Sequence, residues 1–252
     1  MSVPGDQEQS FISHLVELRS RLLRASVAVL VVFLALTPFM RRIFELLSQP
    51  LMESLPAGTK LLATGVIAPF VVPLKVTLFV AFLIALPYVL YQVWAFVAPG
   101  LYQHERRLAG PVIASSVAMF IAGMAYCYFI VFNVVFHFIA QFAPATVNVA
   151  PDIEAYVNFV LGLFLAFGAA FEVPIVVLLI VRFGFVTVAR LSQIRPYVIV
   201  GATVAAAIVT PPDVLSMTLL AVPLVVLYEV GIVLARVFGK RPDEAAKAEP
   251  AS

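Results

Sequence analysis

A chain of 252 residues in which 63% are hydrophobic and 12% are charged carries more apolar surface than a soluble domain of that length can bury, which excludes an ordinary water-soluble globular fold. The net charge of +2 points to no polyanionic partner; what matters is where each charge sits. The lone cysteine, Cys127, excludes an internal disulfide.

Residues 1–21 lack an apolar core and no small-residue cleavage pattern follows the first span, so no cleavable signal is expected. Residues 10 to 24 predict a helix of two faces, Phe11, Leu15, Leu18 and Leu22 on one and Ser10, His14, Glu17, Arg21 and Arg24 on the other. It is expected to lie along the membrane interface. The first apolar run then predicts a span over 22–40, close to the ~20 residues that a hydrocarbon layer requires. Pro50 falls in the following loop, where a turn accounts for it.

The second helix is expected over 73–98, with Lys75 near its start snorkelling to the nearer interface. No Asp, Glu, Lys or Arg occurs from Leu108 to Pro151. That stretch predicts one long helix over 109–142 and a loop through Pro144, Asn148 and Pro151. Asp152 opens a fourth helix over 153–182. The fifth and sixth, over 196–209 and 214–235, are joined by Thr210-Pro211-Pro212-Asp213, in which Asp213 is placed to cap the helix that follows. The fifth run is short, which implies either local thinning of the bilayer or a re-entrant hairpin. The fold class is thus all-α, with six transmembrane helices. Residues 1–238 form one membrane domain, and 239–252, rich in Ala, Pro and charge, a flexible tail.

Basic residues fall on alternate hinges. With the N-terminus inside, the inner set contains Arg19, Arg21, Arg24, Arg106, Arg107, Arg182, Arg190, Arg195, Arg236, Lys240, Arg241 and Lys247, against Arg41, Arg42 and Lys60 outside. Both termini are therefore expected in the cytosol.

Four carboxylates stand out. Glu17 reads either as an ordinary surface partner of Arg21, four residues on, or as an acceptor for a cationic ligand. Glu105, alone among the bases of His104-Glu105-Arg106-Arg107, has the same two readings. Glu172 lies inside the fourth span, where an ionised carboxylate costs ~2.5 kcal/mol or more, and Pro174 beside it predicts a kink. It reads as a functional site or an interhelical polar clamp. Glu229, near Arg236 and the cytosolic interface, is expected to be solvated or to snorkel. His137 has no second ligand at metal spacing, so neither a metal nor a cofactor is expected. Walker, zinc-protease and serine-nucleophile signatures are absent, so the chain is not expected to be an enzyme.

Ser13-His14-Leu15-Val16-Glu17-Leu18-Arg19-Ser20-Arg21-Leu22 and Tyr91-Gln92-Val93-Trp94-Ala95-Phe96-Val97-Ala98-Pro99-Gly100-Leu101-Tyr102-Gln103-His104-Glu105-Arg106-Arg107 closely resemble the TatC family of twin-arginine translocase receptors. Ala166-Phe167-Gly168 through Glu172-Val173-Pro174 and Arg195-Pro196-Tyr197 through Thr210-Pro211-Pro212-Asp213 agree with it, and the likeness covers nearly all of residues 10–238. The resemblance implies a receptor in the bacterial inner membrane that binds signal peptides bearing two consecutive arginines. With TatA and TatB it would export folded proteins, driven by the proton-motive force. It further implies that Glu17 and Glu105 accept the arginine pair, that Arg19 and Phe96 shape that patch, and that Glu172 is an intramembrane polar site. Partner helices would lie near Ala207, Thr210 and Met217, where the family often carries Gln in place of Met217. Pro50 and Asp213 also match. The alternative is a proton-coupled small-molecule transporter with Glu172 as proton carrier and Lys75 as its counter-charge.

Overall fold

A computed structural model of the chain describes residues 4–54, 62–97, 106–135, 152–209 and 214–238. Among them the structure is helical, in two compact units, Met1–Val117 with Asn148–Leu161 and Ala118–Val147 with Gly162–Ser252. Five helical stretches are long and apolar enough to cross a membrane: Leu15–Leu47, Ala68–Phe96, Gly110–Val135, Ile153–Arg182 and Val214–Phe238. Arg195–Ile208 is apolar but shorter.

In the first unit, α1 runs unbroken from Pro4 to Leu36. The expected separate interfacial helix is not there, because no Gly or Pro follows Gly5 until Pro38, and nothing between them stops helical hydrogen bonding. Leu22, Leu23, Val27, Leu30, Val31 and Leu34 are exposed, as side chains facing lipid must be. A 3₁₀ turn at Thr37–Phe39 with Pro38 leads into α2, Met40–Ser54. Pro50, expected in a turn, lies within this helix. Ile43, Phe44 and Leu47 recur at helical spacing and pack on a buried cluster of Ala68, Val72, Val76 and Val157, which holds the segment helical despite the proline. Helix α3 spans Ala68–Val97, starting five residues earlier than the expected 73, with Pro73 and Pro87 inside it. Thr77 Oγ1 donates to the Pro73 carbonyl at 2.8 Å, a local back-bond beside a proline.

Helix α4, Arg106–Tyr126, continues into a π segment at Cys127–Val131, in which the Phe132 amide donates to the Cys127 carbonyl. Helical backbone is described to Val135, so the expected end at Phe142 lies outside the described residues. Next comes α5, Ile153–Phe171, begun by Asp152 as expected: its Oδ1 accepts from the amides of Glu154 and Ala155, both at 2.9 Å. Asp152 Oδ2 accepts from the Thr64 amide at 3.2 Å and hydroxyl at 2.5 Å, and the Ile153 amide donates to the Leu62 carbonyl at 2.9 Å. This fastens the segment before α3 to the start of α5. The Thr64 hydroxyl, then the amides, hold the Asp152 carboxyl below the usual aspartate range.

In the second unit Tyr126 stacks obliquely on Phe167 and Phe171, with ring centroids 5.6 and 5.7 Å apart. At buried Gly123 an added Cβ would collide with the Phe167 carbonyl, so the two backbones touch there. Helix α6, Val173–Arg182, is followed by α7, Val188–Gln193, a short helix not anticipated from the pattern, capped by the Thr187 hydroxyl accepting from the Arg190 amide at 3.3 Å. Helices α8, Arg195–Val209, and α9, Val214–Phe238, complete the unit. Val177, Leu191, Tyr228 and Ile232 form its buried cluster, and the Tyr228 hydroxyl donates to the Leu191 carbonyl at 2.9 Å.

Replacing Gly123 by Ala is expected to destabilise the detergent-solubilised protein by about 1–3 kcal/mol, because a backbone rather than a flexible side chain must give way. A lowered thermal midpoint checks this. The Asp152 cap, with its depressed pKa, contributes stability that is in place above the ordinary aspartate range and is lost as pH falls through the depressed value. The protection factors of the Thr64, Glu154 and Ala155 amides should fall over that acidic interval and be lowered at neutral pH in Asp152→Ala.

Candidate functional site

Glu17 lies on α1, half-buried, and its Oε1 accepts from Arg21 Nε at 2.8 Å and Arg21 Nη2 at 2.6 Å. Arg21 Nη1 also reaches Oε1 of Gln92 on α3 at 3.5 Å, and Gln92 is buried. The structure thus shows the surface pair of Glu17 with Arg21, with a tie from Arg21 to a second helix added. Two residues beyond Gln92, the indole N–H of buried Trp94 donates to the hydroxyl of buried Ser116 on α4 at 3.0 Å. Arg19 is exposed and Phe96 half-buried. Glu105 lies outside the described residues, as do Thr210 and Asp213.

Glu172 sits in the break between α5 and α6. Its amide donates to the Ala169 carbonyl at 3.1 Å, a tighter turn than α-helical, and its carbonyl accepts from Ile175 and Val176 at 3.0 Å each. Pro174 has no amide to offer Ala170, so the helix reorganises where the sequence predicts a kink. Both carboxylate oxygens of Glu172 are buried. Nearby, a Cβ at Gly231 of α9 would stand 2.9 Å from Val177 Cβ and 3.0 Å from Pro174 Cα, so α9 passes close to the start of α6. Ala207 is exposed on α8 and Met217 half-buried on α9.

Two ion pairs escaped the sequence. Lys75 Nζ donates to Glu154 at 2.7 Å and to Asn158 at 3.1 Å, an ion pair between α3 and α5. Arg195 Nη2 donates to Glu229 at 2.7 Å, so this carboxylate, still open to solvent, also links α8 and α9. The only available signal was chemical: each is an acid and a base on different apolar helices, at matching ends. Among the described residues no three His, Cys, Asp or Glu gather into a metal site.

The sequence profile described as "Sec-independent protein translocase protein (TatC)" matches residues 13–223. A protein of that description from Azotobacter chroococcum mcd 1 is 50% identical over 246 residues, covering 98% of this chain and 96% of the relative. Its counterpart in Escherichia coli (strain K12) is 47% identical over 233 residues, covering 92% and 90%. A solved structure described as the crystal structure of the twin arginine translocase receptor TatC superposes with a TM-score of 0.77 at 37% identity, covering 89% of this chain and 98% of that one.

Trp94 is the single tryptophan of the chain, which makes its hydrogen bond observable. Ser116→Ala is expected to cost roughly 1–3 kcal/mol, since it leaves a buried indole N–H unpaired, and to shift Trp94 emission to the blue. Unaltered emission together with an unaltered thermal midpoint would remove the bond from the account.

Proposed function

The chain belongs to the TatC family, a family of non-enzymatic, multi-pass components of the Sec-independent protein translocase, and from that premise we propose that it is the receptor for twin-arginine signal peptides. In this reading it lies in the bacterial inner membrane with six spans and both termini in the cytosol. Residues 1–238 act as one membrane domain and 239–252 as a flexible tail. It works with TatA-like and TatB-like single-span partners to export folded proteins, driven by the proton-motive force.

The observation that carries the reading is the state of Glu17. An accessible carboxylate on the basic, polar end of α1 already accepts a guanidinium through two nitrogens, so its surroundings suit the group that a twin-arginine peptide presents. Guanidinium is planar and offers paired donors, whereas an ammonium is a compact, strongly hydrated point charge. Two consecutive arginines call for two acceptors, and Glu105 is the proposed second. Arg19 and Phe96 would bound the patch. Glu172 is assigned as the intramembrane polar site, and Ala207, Thr210 and Met217 as contacts for partner helices. Pro50 and Asp213 are assigned structural roles. The shortness of α8 supports local thinning of the bilayer on that side.

A charge-assisted hydrogen-bond set contributes about 1.5–3 kcal/mol. Glu17→Gln in the full chain, reconstituted in phospholipid nanodiscs, is therefore expected to weaken an Arg-Arg signal peptide roughly tenfold to a hundredfold, read by fluorescence anisotropy of the labelled peptide. An unchanged Kd in both Glu17→Gln and Glu105→Gln would refute the carboxylate-pair mechanism.

A further inference from the structure

The pair at Glu17 is more than an acceptor waiting for a ligand, because the acceptor is partly occupied. Arg21 Nε and Nη2 both bear on one oxygen, Oε1, at 2.8 and 2.6 Å, while Oε2 has no hydrogen bond among the described residues. The far side of the same guanidinium is steadied by Gln92 Oε1 at 3.5 Å. Gln92 itself is 4% exposed, so that anchor belongs to the packed face of α3. Exposure is graded across the pair: the Arg21 side chain is 22% exposed and that of Glu17 37%. The cation lies deeper and the carboxylate opens outward.

From this arrangement we propose that Arg21 is a specificity-determining residue: an internal stand-in for the ligand's guanidinium, set so that a newcomer must share Glu17 with it. The proposal rests on the signal-peptide reading and adds to it the source of the discrimination. A second cation reaching Oε2 meets the charge of Arg21 at short range, which weakens every basic ligand. The penalty is unequal. A guanidinium is weakly hydrated and flat, so it can lie face to face with the Arg21 plane while directing its edge at Oε2. An ammonium loses more hydration on entry, has no flat face, and offers single donors. Arg21 thereby acts as a repulsive element that disfavours the wrong ligand more than the right one, the usual way in which selectivity exceeds attraction alone. Gln92 keeps Arg21 from swinging aside.

The full chain in phospholipid nanodiscs is titrated with two labelled synthetic signal peptides that are identical except for Arg-Arg or Lys-Lys. The quantity read is the Kd of the Lys-Lys peptide divided by that of the Arg-Arg peptide. Arg21→Gln, which removes the charge and keeps a polar side chain of similar reach, is expected to tighten the Lys-Lys peptide more than the Arg-Arg peptide and to lower the ratio roughly tenfold. Gln92→Leu leaves the charge but frees it, and is expected to lower the ratio in the same direction by a smaller factor. Trp94 emission and the helical circular dichroism band verify that each variant is folded. Should Arg21→Gln not fold, Gln92→Leu alone decides by the same ratio. A ratio unmoved in the folded variants, or both peptides weakened by the same factor, as loss of a merely structural partner of Glu17 would do, overturns the role given to Arg21. Glu17→Gln separates the two ideas: if it leaves Arg-Arg binding intact the signal-peptide site itself is misplaced, whereas if it weakens that binding while Arg21→Gln leaves the ratio alone, only the Arg21 proposal falls.

Discussion

A charge at the edge of a hydrocarbon layer is poorly hydrated, and three ion pairs among the described residues show how such a charge is held by an opposite one. Glu17 meets Arg21, Lys75 meets Glu154, and Arg195 meets Glu229. Two of the three join different helices, so each fixes a lateral neighbour as well as satisfying an ion. The aliphatic surface between them cannot do this, since Leu or Val against lipid is nearly as well placed as Leu or Val against another helix. Polar pairs, and glycines such as Gly123 that let backbones touch, supply the specificity that hydrophobic burial supplies in water.

Much of this could be read from residues alone, and the reasons differ by element. Five long apolar helices are legible because length and lack of charge are one-dimensional properties. The start of α5 is legible because Asp152 stands where a capping carboxylate is needed, and the break at Glu172 because Pro174 removes a specific donor. Lys75–Glu154 and Arg195–Glu229 were not legible, since their partners lie 79 and 34 residues apart and nothing local to either residue names the other. Pro50 misled in the opposite way. A local rule favoured a turn, and the packing of Ile43, Phe44 and Leu47 on the Val72 and Val76 cluster overrode it. The π segment at Cys127–Val131 has no sequence signature that would have disclosed it.

The candidate site shows the same division. That Glu17 stands alone among bases was legible in the sequence; that it already holds a guanidinium was suggested by spacing; that Gln92 meets this guanidinium from another helix needed the structure. This contact turns an ordinary i,i+4 pair, worth about 0.3–0.5 kcal/mol on an open helix surface, into a positioned group. In the proposed receptor role, the contents of an acceptor before the ligand arrives bear on selectivity as directly as the acceptor itself.

The continuity of α1 reaches further. The uninterrupted helix from Glu17 to Leu36 measures about 28 Å at helical rise, with no break along it. Leverage follows: pivoting the helix by about ten degrees about its Leu36 end sweeps the carboxylate through roughly 5 Å. Bilayer thickness is one influence on the inclination of such helices, beside their packing on neighbours, so lipid composition would enter the geometry of the proposed peptide capture through mechanics.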